Sequence, residues 1–310
     1  MIFDNKNLIL KTSHCKTAGF FSNCSVRLKQ IINFINKNNE LPRTVDSSAQ
    51  FRNYKEEVDD TVDDLTKYFF EQTAIASTVE KINYFLPRQY QKYKNIDFKN
   101  VVPLIKAFFS PSITIRNIIE TLEKKYKLDY DNICSVYYRG NDKASETGLA
   151  EYEQFFNKTE EILQKNPHIK FLIQTDELEF AEAFKQRFPN SFWFDELSMI
   201  NHDPKSSVHH SLPRHERKQH ACYFLAAIII MSKTKHIITY SGNCGLWAVL
   251  YRGNAENVYQ YLKANWITQK LASDLAWISN ETIESQIIKL INRRESSVDL
   301  CRLREILKLK

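Results

Sequence analysis

"SVYYRGNDKASE" (residues 135–146) carries an apolar segment into a turn that crowds an arginine, an aspartate, a lysine and a glutamate around one glycine. Aromatic and β-branched residues that stop abruptly at a charged glycine turn read as a buried strand ending at Arg139. Regular alternation surrounds it: strand 132–138, helix 150–165 closed by "NPH", strand 169–174, helix 177–188, short strand 191–194, helix 214–231, strand 236–240, helix 244–251 and strand 257–261. This order predicts an α/β fold, with a parallel sheet covered by helices on both faces. Ligands of such sheets lie beyond the carboxyl ends of the strands. Arg139, Thr175 with Asp176, and Ser241 to Asn243 each follow a predicted strand, so they are expected on one rim.

Upstream, "NLILK" (7–11) reads as a strand, and "CSVRLKQIINFINK" (24–37) repeats Leu28, Ile31, Ile32 and Ile35 at helical spacing. "NNELPRTVDSS" (38–48) reads as a loop, and 55–73 as a helix whose Asp59, Asp60, Asp63 and Asp64 form a solvated face. After a second polar stretch (87–100), "SITIRNIIETLEKKY" places an apolar stripe on a helix that ends near "KLDYDN". A boundary near residue 128 divides the chain into an N-terminal α/β domain (1–128) and a Rossmann-like domain (129–270). Two further helices are expected in 271–310, packing back across the first domain.

A chain of 310 residues, 43% hydrophobic and 13% aromatic, can fill two cores. Its net charge of +6 comes from scattered Lys and Arg, which suits anionic ligands. No secretory leader pattern opens the chain, and the most apolar run, "ACYFLAAIIIM" (221–231), is too short to cross a bilayer. The expectation is a cytoplasmic protein without a membrane span. Cys15, Cys24, Cys134, Cys222, Cys244 and Cys301 form no C-x-x-C pair, which argues for reduced thiols packed as small hydrophobes.

Average usage would give about 22 glycines in this length, and there are six. They fall in "AGFFSNC" (18–24), "RGNDKASETG" (139–148) and "YSGNCGLWAVLYRG" (240–253), which marks these as ligand-facing loops. Two readings of Arg139 stand together. It can hold phosphate oxygens beside the helix start at "SGNCG", or it can pair with Asp142 or Asp176. No Walker-type loop and no G-x-G-x-x-G is present to take phosphate otherwise. "DYD" (129–131) precedes its strand instead of ending one, so it is not read as a metal motif.

"YYRGNDKASE" resembles the R-x-x-D-K segment of the GDP-fucose-dependent α1,6-fucosyltransferase and protein O-fucosyltransferase group. "FLIQTDELEFAEAFKQRFP" (171–189) and "MSKTKHIITYSGNCG" (231–245) are similar to that group's second and third motifs, and "AGFFSNCSVRL" resembles the O-fucosyltransferase G-x-F-G-N-Q loop. The motifs occur in the expected order. The resemblance implies a GT-B fold, two Rossmann-like domains facing across a cleft, and inverting transfer of fucose from GDP-fucose to a glycan hydroxyl without metal or other cofactor.

By that resemblance, Arg139 holds the β-phosphate and neutralises the departing diphosphate, while Asp142 and Lys143 order the loop and contact sugar or acceptor. Glu146 is the implied general base; as a residue it reads equally as a helix cap. Tyr137, Gly140, Thr175, Asp176, Ser241, Gly242 and Asn243 would line the donor site, with Phe21 and Asn23 closing over the sugar. The group usually has a histidine at the position of Tyr137 and an aspartate near Ala226 or Ala227, both used to recognise guanine. A uridine donor such as UDP-xylose is therefore the alternative.

"NHDPKSSVHHSLPRHERKQH" (201–220) holds His202, His209, His210, His215 and His220 at intervals that fit no standard zinc spacing. It reads as a polar loop from which Arg214, Arg217 and His215 approach donor or acceptor. Two other readings remain. One is a nucleic-acid-binding module, suggested by the basic balance with interleaved tyrosines and arginines. The other is a catalytically dead, lectin-like relative.

Overall fold

Every residue of Ile133–Tyr138 is buried, as expected of a central parallel strand with helices on both faces. A computed structural model describes residues 3–4, 8–73, 81–82, 92–145 and 149–261. The first part contains β1 (Phe3–Asp4), β2 (Ile9–Ser13), α1 (Phe20–Asn38), β3 (Thr44–Ala49), α2 (Thr66–Phe69), β4 (Phe70–Glu71), α3 (Phe98–Phe108), β5 (Ser110–Pro111) and α4 (Ile113–Tyr126). It continues with β6 (Ile133–Tyr138), α5 (Tyr152–Lys165), β7 (Lys170–Thr175), α6 (Leu178–Arg187), β8 (Ser191–Phe192), α7 (Val208–Ser211), α8 (Arg214–Lys233), β9 (His236–Tyr240), α9 (Asn243–Arg252) and β10 (Val258–Tyr261). The two helices expected beyond residue 270 lie outside the described residues, as does Glu146.

The larger sheet has the order β10-β9-β6-β7-β8, and all of its strand pairs are parallel. Counted from β6, this is the 3-2-1-4-5 order of a doubly wound sheet, whose connections reverse direction between β6 and β9. A crevice therefore opens at the carboxyl ends of those two strands. The smaller sheet runs β1-β2-β3, with β1 antiparallel and β3 parallel to β2. The chain is thus an α/β protein of Rossmann-like type with mixed strand directions. Among the described residues no helix is long and apolar enough to cross a membrane.

Two apolar clusters hold these layers. On one face of the larger sheet, Phe155, Phe156, Phe180 and Phe184 of α5 and α6 pack on Val136 and Ile173. On the other, α8 and α9 pack on α4, α3 and α1, so one cluster runs from Leu10 to Leu250 across residue 128. Most of α8 from Ala221 to Ser232 is buried, because this helix is enclosed between the sheet and the N-terminal helices. Ser25 of α1 joins the two halves directly. It accepts the Trp247 indole N–H at 3.0 Å and donates to the Asn243 amide oxygen at 2.8 Å.

The predicted elements between residues 112 and 261 agree with the structure to within about two residues, and three upstream readings need correction. The segment 55–73 is irregular apart from the single turn of α2 and the two-residue β4. Lys55 is buried and its ammonium is caged by the carbonyls of Ser48, Asp60 and Asp63. Asp60 and Asp64 accept N–H groups two and three residues ahead, which are local bonds that compete with a helix. Asp64 is not on a solvated face. It is buried and accepts from Ser47 N and Thr66, with the buried Arg27 close enough to feel its charge. The expected loop 38–48 yields β3, whose Ser47 joins Thr12 and Arg27 in a buried polar network. The polar stretch 87–100 ends in α3, capped by Asp97.

Glycine is required at Gly245, in the first turn of α9. A Cβ there would overlap Thr239 Oγ1 and would stand 2.9 Å from Tyr93 Oη and 3.0 Å from the Tyr240 carbonyl. The contact that seats α9 on the end of β9 thus depends on a missing side chain. Overpacking of this kind costs about 1–3 kcal/mol. Gly245→Ala is expected to lose that much in urea or thermal unfolding, and an unchanged midpoint would show that α9 can withdraw from β9.

Candidate functional site

The crevice between β6 and β9 opens into a cavity of about 310 Å³. Its floor is the rim of the larger sheet: Tyr137 and Arg139 at the end of β6, Gln174 to Asp176 at the end of β7, and Tyr240 to Cys244 at the end of β9. Its roof is the start of α1, from Thr17 to Ser22, with Tyr54 beside it. The segment 207–210 and the first turns of α8, through His220 and Phe224, close one side.

Two helices begin at this cavity with no side-chain cap. Gly19 precedes α1 and Gly242 precedes α9, and neither helix has an acidic residue in its first turn. The N–H groups of a first helical turn lack intrahelical partners and carry partial positive charge. Ser25 ties α1 to the first residue of α9, so both ends face the same space.

Arg139 completes the cationic lining. One terminal nitrogen donates to both Asp142 oxygens at 2.7 and 3.0 Å, and Nε lies 3.6 Å from Asp176 Oδ2 without a hydrogen bond. Burial opposes its charge, but Asp142, Tyr137 and Asp176 outweigh that effect and hold its pKa above the ordinary value. Arg139 is therefore paired with Asp142, as one of its two readings expects, and it also lines the cavity. Lys143, buried on the same loop, lines the cavity too, and its Cε is 3.8 Å from where a Gly242 side chain would begin.

Asp176 behaves differently from an ordinary surface carboxylate. Burial drives its pKa up to about 6, against the lowering influence of Arg139 and of the Gly140 N–H that it accepts at 3.0 Å. Gly140 is needed here because a methyl group would overlap the Glu177 carboxylate. Tyr137 is buried, and that burial raises its pKa well above the usual phenol value, with the Cys244 thiol adding to the effect.

Other expected residues are engaged in holding the walls. Thr175 Oγ1 accepts Glu177 N at 3.1 Å, and Ser241 Oγ donates to Tyr261 O at 2.9 Å. Phe21 lines the cavity and packs on Phe224 and Trp247. Asn23 does not reach it: its amide donates to Ala18 O and Gly19 O and accepts from Phe51 N. Phe51 holds φ 54°, a left-handed conformation that costs a bulky residue and is fixed here by that bond.

The histidine-rich segment divides. His209, His210 and His220 line the cavity, whereas His215 is exposed. Burial, then His210 and Arg139, push His209 down to about 3, and burial alone pushes His220 to about 4. Both imidazoles are neutral at neutral pH. Arg214 and Arg217 are not in the cavity wall. Arg214 donates to the carbonyls of Arg52 and Lys55, and Arg217 to Leu212 O, His210 O and the Asn53 side chain. Among the described residues, no group of three or more His, Cys, Asp or Glu is arranged to hold a metal ion.

Sequence reasoning missed Tyr54, Tyr93 and Asn141. Tyr93 Oη bonds Gly242 at both its carbonyl and its N–H, fixing the turn that starts α9. It sits in a polar stretch with no motif, so nothing local marks it. No protein-family model matches the chain, and no curated protein matches its sequence.

A folded-state pKa near 6 at Asp176, against about 3.9 unfolded, sets a sign. Between those values the folded protein binds more protons than the unfolded chain, so this group's contribution is fully present near pH 4 and is lost as pH rises through 6. Asp176→Asn is expected to gain about 2 kcal/mol relative to wild type between pH 4 and pH 7.5 in urea unfolding. A difference that stays flat with pH would show that Asp176 is not desolvated.

Proposed function

We propose that the chain is an inverting, metal-independent glycosyltransferase that binds a nucleoside-diphosphate sugar in this cavity. The observation that carries the reading is the meeting of Arg139 with two uncapped helix N-termini at the switch point of a parallel sheet. Each of these features favours an anion, and a diphosphate spans more than one of them. The ordered motif resemblance adds a sugar-transfer chemistry and implies a GT-B arrangement.

In this mechanism an acceptor hydroxyl attacks the anomeric carbon from the face opposite the diphosphate. The glycosidic C–O bond breaks, and its electron pair leaves on the β-phosphate oxygen. Arg139, Lys143 and the first amides of α9 stabilise the negative charge as it grows, which lowers the barrier instead of merely tightening ground-state binding. The hydroxyl proton passes to a carboxylate. The resemblance assigns that role to Glu146.

Fucose from GDP-fucose is the donor that the motifs favour. Ala226 and Ala227 are fully buried, so the carboxylate that the family uses for guanine has no counterpart there. That specific feature supports the second reading, a uridine-linked sugar such as UDP-xylose in the same cavity. A nucleic-acid-binding role is less favoured, because Arg139 lies in a recess instead of on an exposed basic stripe.

A thermal-shift panel of GDP, UDP and their sugars tests the proposal. A nucleoside diphosphate at 100 times its Kd is expected to stabilise the protein by about 2.7 kcal/mol. The shift should vanish in Arg139→Ala. Sugar transfer by that variant should fall at least about 10²-fold, the usual cost of a lost charge-stabilising donor. No shift with any of these ligands, or an equal shift in Arg139→Ala, would overturn the reading. A shift confined to UDP would replace the fucose assignment.

A further inference from the structure

The loop that carries Arg139 is not held by its own strand alone. Asn141 is fully buried, and its side chain bonds in two directions. The amide nitrogen donates to Asp176 O at 2.8 Å, and the amide oxygen accepts Asp203 N at 2.8 Å. One residue on, Asp142 N donates to Ser206 O at 3.0 Å. A segment some sixty residues later in the chain thus lies across the Arg139 turn and is fastened to it twice.

The same segment is anchored at its root. Ile200 forms a parallel bridge with Glu177, Ile200 N donates to Asp176 O at 3.1 Å, and Leu178 N donates to Ile200 O at 3.0 Å. His202 N donates to both Glu179 oxygens, and His202 Nδ1 lies 3.0 Å from Glu177 Oε1. That Glu177 oxygen also accepts the Tyr152 hydroxyl at 2.6 Å. Past Ser206 the segment turns inward, and Ser207 to His210 become cavity wall. One continuous strap therefore clamps the Arg139 turn with its first part and faces any occupant of the cavity with its last.

We infer that Asn141 is a positioning residue, the point at which the 200–207 strap fixes the Arg139 guanidinium relative to the cavity. It does not line the cavity and acts only through Arg139. Asp142, which accepts from Arg139, is set by the strap through its own N–H, so slack in the strap becomes displacement of the guanidinium. A misplacement of about 1 Å in a positioned charged group can cost on the order of 10²-fold. The inference rests on the proposed nucleotide-sugar reading, because it assigns Asn141 a part in binding that ligand.

A double-mutant cycle tests it. Affinity for the nucleoside diphosphate that binds best is measured by titration calorimetry in wild type, Asn141→Ala, Arg139→Lys and the double variant. Asn141→Ala is expected to weaken binding about tenfold or more in the wild-type background and less than about threefold in Arg139→Lys, whose charge no longer has a planar fork to be aimed. Equal weakening in both backgrounds, or none in either, overturns the positioning role and leaves the nucleotide-sugar reading intact. If wild type binds no nucleoside diphosphate, that reading falls and the role of Asn141 falls with it. Should Asn141→Ala not fold, Asn141→Asp takes its place. It preserves volume and the acceptor for Asp203 N, loses the donor to Asp176 O, and is expected to follow the same non-additive pattern.

Discussion

A guanidinium at the mouth of a parallel sheet must be neutralised, solvated or given a ligand, and the surroundings of Arg139 are organised around that requirement. Asp142 takes one terminal nitrogen, Asp176 stands just outside hydrogen-bond range of Nε, and the remaining surface faces the cavity. The opposing carboxylates keep the charge from being expelled by desolvation. Burial raises the pKa of Asp176 to about 6, so on acidification its charge gives way while Arg139 keeps its own. Gly140, Asn141 and the strap then fix where that charge points. The fold supplies the crevice, and this charge balance gives the crevice its chemical character.

The placement of the rim is legible in the sequence. β6, β7 and β9 are apolar runs ended by glycine or polar turns, and their alternation with helices implied a parallel sheet whose strand ends gather Arg139, Asp176 and Asn243. Parallel strands buried on both faces leave a simple record in the sequence. The N-terminal part left a poor one. β3 is a run of small polar residues that face a buried network, and the acidic stretch 55–64 turns on a caged lysine and on side-chain-to-backbone bonds. Hydrophobic periodicity does not register either feature, because the groups that decide them are polar and meet across tens of residues.

The same limit governs the site. Residues that end strands could be named, whereas residues that reach the site from elsewhere could not. Tyr93 and Tyr54 approach from segments without a motif, and Asn141 matters because of a partner at Asp203. In the opposite direction, Asn23 and Arg217 look from the sequence like ligand contacts but are committed to neighbouring backbone or side-chain groups. A polar residue in a glycine-rich loop has two possible uses, and only the identity of its partners separates them. His209 and His220 show a further gap, since burial has removed the charge that their residue type would suggest.

The pairing of β6 with β9 has a consequence for how the chain acquires its shape. Cys134 lies opposite His236, a separation of about one hundred residues, and closing so long a loop is slow compared with forming the helices inside it. During synthesis the strand ending at Arg139 emerges long before its neighbour on one side exists. Of the described residues the charged rim is therefore among the last parts to be assembled, and a ribosome must deliver nearly all of them before the crevice can form.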